Sequence, residues 1–294
     1  MKKILFTILS ILSISVSSQI TDLEEKVRKT SVDTLDGWKN GGVININFSQ
    51  ASFKNWSAGG QNSISLNNLV SVFANYKKGR SSWDNMLDVG YGFLTQGNVR
   101  KKTDDKIDFT SKFGRSASKS WYYAALLNFK TQMDDGFDYK TDTTKVKISS
   151  FMAPAYVVGA FGMDYRPSDN FTGFIAPLTS KTTIVANKTL SDSGAFGIDR
   201  GKTVKNEFGG YIKLVYKHNF FKDNSVSLLS KVDLFSNYLN NPQYIDVNWE
   251  NIISLKVNKY ISTIITTQLI YDHDIFKDKV QFKEVIGVGF SYKF

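Results

Sequence analysis

Cysteine is absent from the 294 residues, proline occurs four times and histidine twice. Without cysteine there is no disulfide scaffold and no thiolate metal site. Two histidines, His218 and His273, are too few for an imidazole-rich metal centre, and no cofactor motif is present. Nor does any segment offer the roughly 20 consecutive apolar residues that a membrane-spanning helix needs. What the chain does have is aromatic side chains at 14%, on a background of 41% hydrophobic and 22% charged residues. That balance excludes a disordered chain.

The first residues run Met1-Lys2-Lys3, then apolar from Ile4 to Val16, then Ser17-Ser18-Gln19. This charged, apolar, small-residue order is that of a secretory signal peptide over 1–18. Its removal would take away Lys2 and Lys3, lowering the formal net charge from +10 to +8. Residues 19–42 are polar and read as a periplasmic N-terminal segment, in which Ile20, Leu23 and Val27 would share a face of a short helix. The basic excess does not point to nucleic acid. Its lysines and arginines sit at turns such as Lys77-Lys78-Gly79-Arg80 or alternate along strands, with no stripe on one face. Phosphate-bearing lipid headgroups, lipopolysaccharide among them, are the partner such a distribution suits.

From residue 43 onward apolar residues recur with period two, the signature of half-buried strands. Twelve strands are expected, near 43–54, 62–77, 82–96, 105–116, 120–133, 153–166, 171–181, 205–218, 225–238, 246–258, 260–272 and 283–294. Connections after even strands are short, and those after odd strands are mostly longer, reaching 134–152 and 182–204. Residues 43–294 therefore read as an all-β, antiparallel up-and-down barrel of the outer-membrane type. It would have short periplasmic turns, longer extracellular loops and both termini in the periplasm.

One parity carries Tyr76, Trp83, Phe113, Trp121, Tyr165, Phe171, Tyr216 and Phe294 beside the short turns, as an interfacial aromatic girdle would. The other carries Asp84, Asp88, Asp108, Lys112, Lys130, Asp164, Lys213, Lys231, Asp233, Glu250 and Lys256, too many charges for a dry core. These eleven are expected to face a lumen, where they would tune selectivity. The last residues place Ile286, Val288, Phe290, Tyr292 and Phe294 on one parity, resembling the terminal signal read by the outer-membrane insertase.

Several stretches are more specific: Trp56-Ser57-Ala58-Gly59-Gly60-Gln61-Asn62, Met152-Ala153-Pro154-Ala155-Tyr156, Gly162-Met163-Asp164-Tyr165-Arg166-Pro167 and Ile270-Tyr271-Asp272-His273-Asp274 among them. With these the chain resembles a Bacteroidetes family of outer-membrane β-barrels, domain of unknown function 3078, over about residues 37–294. The resemblance implies an outer-membrane location and supplies no substrate or catalytic residue.

Other chemistry is thin. Asp104 and Asp105, with Asp272 and Asp274, are weak candidates for a calcium site at the outer rim, though their spacing matches no EF-hand. His273 between two aspartates could serve a rim hydrolase, but no nucleophile is singled out, and no enzyme is expected. Glycines at 90, 92, 159, 162, 209 and 210 suggest strand curvature or close backbone approach. The expected role is a passive channel or transporter for small solutes. The alternative is a non-conducting structural or accessory barrel within an envelope complex.

Overall fold

The computed structural model describes residues 36–52, 61–139, 145–221, 225–258, 261–275 and 279–293. The expected signal peptide, the segment that follows it up to residue 35, and Phe294 lie outside the described residues.

Twelve antiparallel strands close into one barrel: β1 (Gly37–Ala51), β2 (Ser63–Lys78), β3 (Ser81–Gln96), β4 (Val99–Ser116), β5 (Trp121–Thr131), β8 (Ala155–Ser168), β9 (Phe171–Ile184), β10 (Val204–Phe220), β11 (Val226–Asn237), β12 (Asp246–Lys256), β13 (Ile261–Tyr271) and β14 (Gln281–Lys293). Each pairs with its sequence neighbours, and β14 returns to β1. Two further strands, β6 (Gly136–Tyr139) and β7 (Lys145–Ser149), make a separate hairpin inside the long connection after β5. Gly37 and Lys293 mark the same end of the barrel, called the terminal end here; the opposite end is the loop end.

Closure is what makes the alternation meaningful. A ring of strands has an inside and an outside, so every second side chain must choose one of them. Outward positions are apolar and exposed: Ile46, Phe48, Phe161, Leu178, Phe282, Ile286, Val288 and Phe290 all show large exposure. Inward positions hold buried polar groups such as Asn45, Asp88, Asp164 and Lys231. The barrel is thus inverted relative to a soluble one. The closing seam is also its shortest ladder, running only from Val43 opposite Lys293 to Asn47 opposite Gly289.

Two strand starts depart most from the sequence reading. β1 starts at Gly37, so residues 37–42 belong to the barrel rather than to the preceding segment. β4 starts at Val99, and the β3–β4 connection is the two-residue Gly97-Asn98 turn, not a long loop. Gly97 sits at φ +57°, a conformation glycine adopts without the steric cost of a Cβ. The 185–203 connection, by contrast, is ordered. Helix α1 (Lys188–Ser193) is capped by the Asn187 side chain, which accepts from the Leu190 N–H, and it buries Leu190 with Ala153, Val185 and Ile198.

Three irregularities interrupt the ladders. Thr103 is an extra residue in β4 opposite the Gly92–Phe93 step, and β8 carries an extra residue at Arg166-Pro167 near its end. In β9 the register jumps around Pro177, which cannot donate to a ladder: between Ala176 and Thr179 against β10, and between Ile175 and Leu178 against β8. Inward positions are even before this bulge (Phe174, Ala176) and odd after it (Thr179, Lys181, Thr183).

The glycines divide by environment. At Gly162 an added Cβ would collide with the Ile175 carbonyl and the Ala176 Cα, whereas at Gly159 it would meet nothing within 4 Å. Close approach at the β9 bulge, not curvature alone, therefore explains Gly162. Gly162→Ala is expected to destabilise the barrel by about 1–3 kcal/mol, the range for overpacking, and Gly159→Ala to change it little. Urea-induced loss of heat-modifiable gel migration reads both, and equal effects would contradict this assignment.

Candidate functional site

The interior encloses a cavity of about 550 Å³. Ten of the eleven residues expected to face a lumen line it: Asp84, Asp88, Asp108, Lys112, Lys130, Asp164, Lys213, Lys231, Asp233 and Glu250. Lys256 keeps the same parity as Glu250 and the buried Ser254, but it lies nearer the terminal end, beyond the cavity lining.

Charges brought inside without water must pair, and they do so in layers. Nearest the terminal end, Asp164 has no solvent exposure. Its Oδ2 accepts from Lys112 Nζ at 2.7 Å and from Arg166 Nε at 2.6 Å. Arg166 also reaches Asp84 at 3.3 Å and lies over the Tyr122 ring at 4.6 Å. In the next layer Lys130 meets Asp108 at 3.4 Å, and Asp233 accepts from Lys213 at 2.9 Å and from the Tyr211 hydroxyl.

A third layer crosses the lumen. Lys106 of β4 meets Glu250 of β12 at 3.5 Å, and Lys231 of β11 binds the other oxygen of Glu250. β4 and β12 stand six places apart in the ring of twelve, so the Lys106–Glu250 pair spans the barrel from wall to opposite wall. Nearer the loop end Lys283 of β14 reaches Asp104 of β4 at 2.5 Å. There Lys181 gathers Asp246 at 2.6 Å, Asp272 at 3.6 Å and Glu207 at 3.7 Å. Toward the terminal end, Val43, Ser82, Arg166, Lys217, Ser227, Ser254 and Ser262 are buried without lining the cavity. The cavity therefore stops at a packed layer on that side.

Sequence reasoning missed Lys106, Arg166, Lys181, Glu207, Asp246 and Lys283. Lys181 was hidden by the bulge, and Pro177 inside a strand was the signal that could have revealed it. Lys106 shares the parity of Asp108 and was legible. The cross-lumen partners were not, because nothing local says which strands stand opposite.

The aromatic row is present on the outside, and it includes Trp38, which the sequence reading had left outside the barrel. Trp38 packs on Tyr76 at 5.1 Å and on Trp83 at 5.8 Å, and register continues the row to Phe113. Trp121 packs on Tyr165 at 4.6 Å, and Phe171 stands opposite Tyr216. His218 joins this row, its ring parallel to Tyr216 and edge-on to Phe220.

The weak metal candidates are all taken up by lysines: Asp104 by Lys283, Asp105 by Lys102, Asp272 by Lys181 and Asp274 by Lys205. Among the described residues no three metal-ligating side chains gather. His273 stacks on Tyr244 at 3.8 Å, and both flanking aspartates are engaged elsewhere, so neither orients its imidazole. At the base of the long loop, Asp105 accepts the N–H groups of Met133 and Asp134. The Tyr91 hydroxyl donates to Asp134 at 2.9 Å and, with the Asp135 N–H, holds the Asp134 carboxyl below the ordinary aspartate range.

A family model described as "Protein of unknown function (DUF3078)" matches residues 48–137, which take in β2 to β5. No curated protein matches the sequence. Among solved structures, the translocator domain of the autotransporter NalP from Neisseria meningitidis aligns at a TM-score of 0.40 and 10% identity, over 93% of each chain. The NanC porin aligns at 0.41 and 8% identity, over 86% of this chain and all of the other. An outer membrane channel from Pseudomonas putida F1 aligns at 0.41 and 10% identity, over 90% of this chain and 97% of the other.

Two outcomes follow from these contacts. Asp164→Ala strands Lys112 and Arg166 without their shared carboxylate and is expected to cost about 3–5 kcal/mol of barrel stability, measured by urea titration in lipid vesicles. Asp134, depressed when folded, contributes order above its unfolded pKa that is lost as pH falls through its lower folded value. Protection of the Asp135 N–H, its hydrogen-exchange rate relative to the intrinsic rate at the same pH, should therefore hold at neutral pH and fall only in acid, and Tyr91→Phe should move that fall to higher pH.

Proposed function

We propose that the protein spans the outer membrane and passes small solutes through its lumen, with the ionic layers restricting both rate and selectivity. The exposed apolar exterior and the aromatic row near the terminal end support the membrane placement, since rings with polar tips favour the headgroup level. In this placement the terminal end, with both termini, faces the periplasm. The surroundings are then lipid and lipopolysaccharide. The outer-membrane insertase would read β14, whose Ile286, Val288 and Phe290 point outward. No enzymatic step is assigned.

The observation that carries the reading is the wall-to-wall Lys106–Glu250 pair inside a charged cavity of about 550 Å³. Fixed charges of both signs across a constriction act as a filter, as rings of charge do in pores. The packed layer below the cavity favours a second reading, a non-conducting barrel that serves as a structural or accessory subunit.

Conductance of the purified protein in planar bilayers separates the two. A channel gives small discrete steps that increase in Lys106→Ala, which removes the crossing contact and leaves Glu250 paired with Lys231. Silence from both folded proteins would overturn the channel and leave the accessory barrel. Membrane placement is tested independently. Phe161, outward and exposed at the middle of β8, becomes costly as Phe161→Arg, by roughly 2–4 kcal/mol, the cost of an arginine near the bilayer midplane. Unchanged assembly would contradict the placement.

A further inference from the structure

The inner wall is chemically two-sided. Strands β9, β10 and β11 stand opposite β1, β2 and β3 in the ring. The first wall presents Phe174, Tyr211, Val215 and Phe235 to the cavity among the ion-paired Lys181, Lys213, Lys231 and Asp233; the second presents mainly asparagines and aspartates, with Leu69 and Met86. Glycines hold this second wall back. Asn67 occupies the space that a Cβ on Gly92 would take, and Asn47 lies over Gly287 and Gly289. The amide side chains are thereby folded flat against the barrel.

Four buried acceptors around the cavity have no donor: Asn45 Oδ1, Asn47 Oδ1 and Asp84 Oδ1 on the polar wall, and Asp164 Oδ1 on β8. Asn45 is 3% exposed and Asp164 is fully buried. A buried acceptor without a donor has given up its hydration for nothing, so several around one cavity call for a donor from outside. No lysine in the described lining is spare to supply it. All seven lining lysines are already paired: Lys106 and Lys231 with Glu250, Lys112 with Asp164, Lys130 with Asp108, Lys181 with Asp246, Lys213 with Asp233 and Lys283 with Asp104. Ten carboxylates face these seven lysines, and Arg166 on Asp84 and Asp164, together with Lys102 on Asp105, reduce the excess to one negative charge.

We propose that the lumen binds an organic cation with an apolar body, its N–H donors directed at the acceptors around Asn45 and Asp84 and its body laid against the Phe174–Tyr211–Phe235 wall. An aliphatic or arylalkyl primary ammonium fits this description. An anion of the same shape would meet the acceptors with like charge. A quaternary ammonium would bring the charge without the donors. The proposal rests on the solute-passage reading of the same cavity and names the solute class for it.

Calorimetric titration of the detergent-solubilised protein tests it with three probes: phenethylammonium chloride, trimethyl(phenethyl)ammonium chloride and sodium 3-phenylpropanoate. The primary ammonium binds, the quaternary analogue binds about tenfold or more weakly for want of N–H groups, and the carboxylate gives no heat. Asp84→Asn and Asn45→Ala each weaken the primary ammonium by about tenfold, and Phe235→Leu weakens all cationic probes. Should Asn45→Ala fail to fold, Asn45→Asp keeps the acceptor and is expected to bind at least as tightly as the parent. Equal binding of the carboxylate, or indifference to both polar-wall substitutions, overturns the cation site. Bilayer current from the same preparation without ammonium binding removes the site and leaves the passage reading. Ammonium binding without current removes the passage reading and leaves the site.

Discussion

The structure depends on one requirement: every backbone N–H and C=O of a strand must find a partner, and in a surface that water does not reach only a closed ring provides them all. Closure fixes which face is inside. Once the outward face is given to apolar side chains, every polar residue on the alternate positions is committed to a space too narrow to solvate it freely. The barrel interior is therefore a place where charges must find one another.

How they do so explains the shape of the cavity. Neighbouring strands can pair charges along the wall, as Lys130 and Asp108 do, and such pairs leave the centre open. Pairs between opposite walls, such as Lys106 with Glu250, fill the centre instead. Desolvation makes each of these pairs a poor source of net stability, though breaking one by removing a single partner is expensive. Their consequence is positional: they set where the lumen is crossed and leave a two-sided chamber between the Phe174–Tyr211–Phe235 wall and the asparagine wall. The same logic separates the closing seam from the rest. Its ladder is held by Val43 to Asn47 against Gly289 to Lys293, with Asn47 tucked over two glycines.

The irregular positions show where a sequence reading and a fold part company. Alternation predicted the inward aspartates and lysines from Asp84 to Glu250 because period two holds through most of each strand. It failed at Lys181, since one extra residue at the Pro177 bulge exchanges inside for outside for the remainder of β9. It also left Trp38 in a tail, because Gly41 and Gly42 interrupt the apolar pattern although the backbone continues the ladder through them. The connection after β9 read only as a long loop. It packs Leu190 and Ile198 with Val185 onto Ala153, which is remote in sequence and meets them only once β8 and β9 are side by side.

By itself the sequence determined the number of strands in the barrel, the two-sided parity, the aromatic level at the turns and the absence of cysteine chemistry. These are local properties, written in the alternation of neighbouring side chains and the composition of short turns. The tertiary structure alone decided which charges meet, where the lumen is crossed and which acceptors are left without donors. Those depend on which strands stand opposite once the ring closes, and a separation across a barrel has no counterpart in separation along the chain.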